Sequence, residues 1–235
     1  MMRQIVSTGC ALAFTLGLMP GAGAAESVVV VELYTSQGCS SCPPADALLA
    51  ELADQPGVLP IALHVDYWDY LGWADAFANP RFTERQKAYA RAEGSRMIYT
   101  PQMIVGGVHR IEGHDAEDVR AALGAHVAAP DPVTLTLQRQ GDTLTITASA
   151  EPPLTTPARI QLIRYTPEQT VEIGHGENAG QTITYRNIVT SWEVLGDWPG
   201  TAPLDLQVPV AGADPLAVIV QAGGPAEILA AARMD

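Results

Sequence analysis

Apolar positions along this chain change their spacing twice, and each change marks a different kind of structure. Residues 28–34 form a β-branched apolar run interrupted by a single acid, Glu32, which predicts a strand buried on both faces. Residues 45–53 place Ala47, Leu48 and Leu52 on one helical face, and 58–65 predicts a second buried strand. Residues 79–93 read as a helix, with Asn79 as cap, Pro80 at the first position and Gly94 beyond its end. Runs at 103–105 and 108–111 flank Gly106-Gly107, which predicts a tight hairpin. Asp115 caps a last helix over 116–128, whose Val119, Leu123 and Val127 form one stripe. The stretch 67–78, with Trp68, Tyr70, Trp73 and Phe77, reads as an insertion packed over this core.

Past Ala128-Ala129-Pro130-Asp131-Pro132 the helical spacing gives way to short alternating runs separated by Gly and Pro. Candidate strands lie at 133–137, 144–148, 159–165, 170–174, 182–189, 204–210 and 216–221, while 228–233 reads equally as strand or short helix. The expected layout is an α/β domain over 26–130, a mixed central sheet with flanking helices, followed by an all-β sandwich domain over 131–235.

Residues 1–25 are of another kind. A short positive start with Arg3, an uncharged apolar run and Ala22-Gly23-Ala24 match a secretory signal peptide, so the expected product is periplasmic or secreted, with no membrane span after cleavage. Cleavage would remove Cys10 and leave Cys39 and Cys42 in a compartment that permits disulfides. The formal charge of −13, from 26 acids and 13 bases, argues against nucleic acid or an anionic membrane as partner. Five bases cluster at Arg81, Arg85, Lys87, Arg91 and Arg96, which suits a solvated helix face or the docking of an acidic partner.

Cys39-Ser40-Ser41-Cys42 closes too small a loop to restrain an unfolded chain, so chemistry explains the pair better than stapling does. Pro43-Pro44 is tolerated only in a helix's first turn, which puts the cysteines at a helix start. The positive end of a helix favours the thiolate that exchange requires. Three readings remain open. The first is thiol–disulfide exchange on protein thiols, with no cofactor and with an unidentified redox recycling partner. The second is copper or other metal handling by Cys39, Cys42 and His64. The third is a non-catalytic binding module with an inert disulfide.

Residues 32–46, Glu-Leu-Tyr-Thr-Ser-Gln-Gly-Cys-Ser-Ser-Cys-Pro-Pro-Ala-Asp, resemble the active-site entry of the thioredoxin superfamily. Tyr99-Thr100-Pro101-Gln102-Met103 resembles that superfamily's strand with a cis-proline facing the cysteines. The resemblance covers about 28–128 and implies that Cys39 is the nucleophile, Cys42 resolves, Pro101 orients the substrate backbone and Glu32 manages protons. Thr100 is a candidate substrate contact beside Pro101, and Trp68 and Tyr70, which also read as core, are candidates for a peptide-binding lip. The whole chain also resembles a secreted bacterial family of unknown function with a β-rich second half, through 64–73 and 185–189. Ser40-Ser41, with neither His nor Pro, suggests a moderate reduction potential.

Overall fold

The computed structural model describes residues 26–128 and 132–234. The expected leader, Cys10 and the centre of the 128–132 junction lie outside the described residues.

In the first half, β2 (Val29–Thr35) leads into α1 (Pro43–Ala53) and then β3 (Val58–His64), which pairs parallel to β2. Helix α2 (Pro80–Ala92) follows, capped by Asn79, whose side chain accepts from the Arg81 amide. Strands β4 (Gln102–Val105) and β5 (His109–Glu112) form the hairpin, with Gly106 and Gly107 both at positive φ. Strand β4 runs antiparallel to β2, and α3 (Ala116–Ala128) closes this half. Each of these elements lies where the apolar spacing predicts it.

The second half differs from the expected self-contained sandwich in how its strands join. It contains β6 (Val133–Gln140), β7 (Thr143–Ala150), β8 (Ala158–Glu172), β9 (Thr182–Trp198), β10 (Leu204–Pro209), β11 (Leu216–Ala222) and β12 (Ile228–Met234). With β1 (Glu26–Ser27) and the four strands of the first half they give one nine-stranded sheet, β1-β12-β11-β8-β9-β3-β2-β4-β5, and a three-stranded sheet, β10-β7-β6. The small sheet does pack face to face on part of the large one: Leu137, Leu144 and Ile146 meet Ile160, Leu162, Val218 and Val220. The large sheet, however, runs on into the first half without a break.

The junction has a local cause. Pro60 in β3 has no N–H to offer a neighbour, which suits a strand at the edge of a pairing. Strand β9 meets β3 through a single parallel register pair, Ala62 with Ile188. Beside it Asn187 sits at φ 47°, and its side-chain amide donates to the Pro60 carbonyl at 2.8 Å. Asn187 thus supplies a hydrogen bond at the carbonyl of the residue that cannot donate. On the α2 side of the sheet a single core runs through both halves, joining Tyr34, Leu59, Ile61 and Tyr89 to Ile163, Val189 and Ile219.

The predicted strands 159–165 and 170–174 are one strand, β8, which keeps its register with β9 across Pro167 and has its irregularities at Ile160/Gln161 and Arg164/Tyr165. The ambiguous 228–233 segment is a strand, antiparallel to β11. Residues 67–78 hold a 3-10 turn, Asp69–Leu71, and otherwise lie as irregular chain against the cysteine loop.

Candidate functional site

Three chain segments meet at the start of α1. Cys42 caps the helix: its carbonyl accepts from the Ala45 and Asp46 amides, and its own amide donates to the Cys39 carbonyl. Pro43 and Pro44 fill the first two positions, where their missing N–H groups leave no bond unmade. Cys39 and Cys42 are joined by a disulfide, and both are buried, with Cys39 1% exposed and Cys42 0%. The bridging residues Ser40 and Ser41 are exposed.

Beneath the pair lies a buried polar cluster. Asp46 stands one helical turn after Cys42, on the same face of α1, with its carboxyl turned into the interior. Burial pushes that carboxyl up to about 7; Asp75 adds to the rise, and His64 and Thr35 oppose it. Thr35 is close enough to exert that pull, yet neither its hydroxyl nor either Asp46 oxygen meets hydrogen-bond geometry. His64, at the end of β3, shares its Nδ1 with Asp75 at 2.7 Å, and both side chains are fully buried. Burial alone would raise the Asp75 carboxyl; the His64 contact and the amides of Gln37 and Phe77 outweigh it and hold the group below its ordinary value. Tyr185 of β9 packs edge-on to His64, and its buried hydroxyl and His64 Nε2 have no hydrogen-bond partner. Four unpaired polar groups in one buried cluster are rare in a folded core, and they single this cluster out as a candidate functional site.

The hairpin supplies the other wall. The Thr100–Pro101 peptide bond is cis, and Pro101 lies against the start of α1, with Gly113 between them. A Cβ on Gly113 would stand 2.8 Å from Pro101 Cβ and 3.1 Å from Ala45 Cβ, so only glycine permits this approach. Trp68 packs over Gly38, and its indole N–H donates to Thr100 Oγ1 at 2.7 Å. Gln86 braces the same segment through the Tyr99 carbonyl and the Gln102 side chain. A groove of about 450 Å³ runs past Ser41, lined by Met97, Tyr99, Thr100, Pro101 and His114. Its exposed Met97 and half-open Tyr99 offer apolar contact next to the disulfide.

The candidates from the sequence therefore separate. Cys39, Cys42, Pro101, Thr100 and Trp68 come together, and His64 lies behind them. Tyr70 is 77% exposed and does not line the groove. Glu32 is elsewhere. Side chains alternate along β2, so Glu32 shares a face with Tyr34 and α2, opposite the Val31 and Leu33 face that carries α1. There it accepts from Arg85 Nε and Nη2 at 2.8 Å each, from Tyr34 at 2.9 Å and from Tyr89 at 2.7 Å. The buried acid on the cysteine side is Asp46.

The basic cluster disperses too. Arg85 is committed to Glu32 and stacks on Trp192, Lys87 pairs with Glu84, and Arg81 lines a separate cleft of about 310 Å³ with Phe82 and Trp192. Among the described residues, no three His, Cys, Asp or Glu side chains gather as a metal-binding group. His64 faces Asp75 and Tyr185 instead of completing a set with the two sulfurs. No described helix is long and apolar enough to cross a membrane.

Fold and site together define a mixed α/β protein with a buried Cys-x-x-Cys disulfide at a helix start. The chain belongs to the family described as "Protein of unknown function (DUF1223)", which it matches over residues 30–221. It is similar to a structural-genomics crystal structure of an Agrobacterium tumefaciens protein, at 33% identity over 89% of this chain and 95% of that one, with a TM-score of 0.76. HBP35 of Porphyromonas gingivalis shares the fold at 14% identity, covering 89% of this chain and 75% of that one, with a TM-score of 0.58. Comparison with curated proteins gave no match.

Proposed function

We propose that the protein is a thioredoxin-like thiol–disulfide exchange protein, exported by its N-terminal leader and acting on protein thiols in an oxidising compartment. One observation carries this reading: a Cys-x-x-Cys disulfide at the first turn of α1, with the Asp46 carboxyl one turn below it at a pKa of about 7. The element order β2-α1-β3-α2-β4-β5-α3, the sheet order β3-β2-β4-β5 and cis Pro101 support the thioredoxin-like assignment.

In the reducing direction, the Cys39 thiolate attacks a substrate disulfide. A Cys39–substrate bond forms and the first substrate thiolate leaves. Cys42 gives its proton to the Asp46 carboxylate and attacks Cys39 Sγ, which forms the internal disulfide and releases the second thiolate. The substrate gains two electrons and the protein loses two; the oxidising direction is the reverse. An acid near 7 accepts and returns the Cys42 proton at neutral pH with little cost either way. The N-terminal end of α1 stabilises thiolate at Cys39. The groove past Pro101 offers a place for an extended substrate segment, with Thr100 fixed by Trp68.

A trapping experiment tests the reading. The Cys42→Ser variant, mixed with reduced-then-reoxidised insulin or oxidised glutathione, is expected to accumulate a one-to-one mixed disulfide on Cys39 that mass spectrometry detects and dithiothreitol releases. Cys39→Ser should form none. An absence of adduct in both variants, or equal adduct in both, would contradict the assigned roles.

A further inference from the structure

The second half of the chain reaches into the cysteine loop at one point. Between β8 and β9 the chain forms a small lobe over 173–181, closed at its neck by Ile173 N–H to the Gln181 carbonyl at 2.9 Å and by Gly180 N–H to the Ile173 carbonyl at 2.7 Å. Asn178, 1% exposed, projects from this lobe. Its side-chain amide donates to two backbone carbonyls, those of Gln37 and Cys39, at 2.9 Å each. Its carbonyl oxygen accepts from Gln181 at 3.0 Å, so the amide is held in that orientation. Glu177 next to it accepts from the Ser40 hydroxyl at 2.6 Å. Gly174 and Gly176 lie close against Trp73, whose indole N–H donates to Gln37 Oε1 at 2.8 Å. The lobe therefore grips the cysteine loop on both sides of Gly38.

The two ends of the disulfide sit in unlike surroundings, Cys42 on the start of α1 and Cys39 in the loop that precedes it. Cys42 is fixed as the cap of α1. When the bond is broken, the two sulfurs must separate to van der Waals distance, and the Cys39 side is where Asn178 holds both carbonyls. Two hydrogen bonds to buried carbonyls stabilise the arrangement in which their geometry is kept, and the geometry described is that of the closed pair.

We infer that Asn178 is a positioning residue that couples the redox state of Cys39–Cys42 to the docking of the 173–181 lobe: the lobe is latched when the pair is oxidised and loosens when it is reduced. The consequence runs both ways, because a contact that favours one redox state is itself favoured by that state. The oxidised protein thus presents a closed lobe beside the active-site groove, and the reduced protein a loosened one. This inference rests on the exchange reading, since an inert bond would never release the latch.

The test is the equilibrium of wild type, Asn178→Ala and Glu177→Ala with graded thiol buffers, read by alkylation and mass. Asn178→Ala should lower the equilibrium constant for forming the internal disulfide about tenfold, an upward shift of about 30 mV. Glu177→Ala, at an exposed contact, should shift it about twofold in the same direction. A second readout needs no variant: amides of 174–180 in the wild-type protein should exchange hydrogen at least tenfold faster after reduction. Equal constants in wild type and both variants, or lobe exchange that ignores reduction, would overturn the latch while leaving the exchange function standing. A wild-type pair that thiol buffers cannot reduce would instead remove the exchange function, and the latch with it.

Discussion

Glu32→Ala is expected to cost about 3–5 kcal/mol of folding free energy, the range for removing one partner of a buried ion pair, and to leave the reduction potential of the cysteines unchanged. The carboxylate is fully buried and accepts four hydrogen bonds, two from Arg85 and one each from Tyr34 and Tyr89. Removing it strands the Arg85 guanidinium in the interior, against Trp192 and Gln221. The network also crosses the two halves of the chain, because Gln221 of β11 donates to Tyr89 of α2. Urea unfolding monitored by circular dichroism gives the free-energy change. A loss below about 1 kcal/mol, together with a shifted potential, would return Glu32 to the cysteine chemistry and contradict the placement described here.

Asp46→Asn carries the second large effect, on pH dependence. The Asp46 carboxyl has an ordinary pKa near 3.8 when unfolded and about 7 when folded. Between these values the folded protein holds a proton that the unfolded chain has released, so stability falls as pH rises from about 4 to about 7. The shift corresponds to about 4 kcal/mol over that window. Asp75 has the opposite sign. Its lowered pKa stabilises the fold above the ordinary carboxylate value, and that contribution is lost only as the pH drops further, so the two windows separate. The Asn variant should therefore be more stable than wild type at pH 8, with stability nearly flat between pH 5 and 8. Its resolution step, measured by stopped-flow loss of the mixed disulfide, should slow at least tenfold at pH 7 and lose the inflection near that pH. Wild-type stability that stays flat across the window would show that Asp46 titrates as an ordinary surface acid.

Glu32 and Asp46 also mark the limit of what local pattern reveals. The strand, the helix start at Cys42-Pro43-Pro44, the Asn79-Pro80 cap and the Gly106-Gly107 hairpin were legible because each depends on residues within one turn of each other. Glu32 stood out as an acid in an apolar run, and it is buried; which face it occupies depends on packing against α2. Asp46 was passed over because an acid in a helix's first turn normally faces water and favours the dipole. It is buried, and the groups that act on it, His64, Thr35 and Asp75, come from elsewhere in the chain. His64 is legible in the sequence as a candidate ligand beside the cysteines, but its partner Asp75 lies in the irregular 67–78 segment, where spacing carries no signal. Asn178 and Tyr185 belong to the second half, and the packing of β9 beside β3 brings Asn178 to the cysteine loop and Tyr185 to His64. The same junction explains why the division at 130 reads so clearly in composition although the sheet ignores it.

The central claim, that Cys39–Cys42 is a working exchange centre, is tested most directly by the reduction potential of the pair in the purified protein. Equilibration in glutathione and dithiothreitol buffers, followed by alkylation, should give a single two-electron transition between about −120 and −270 mV, the range of exchange proteins. A value below about −300 mV would mark an inert structural bond and contradict the account.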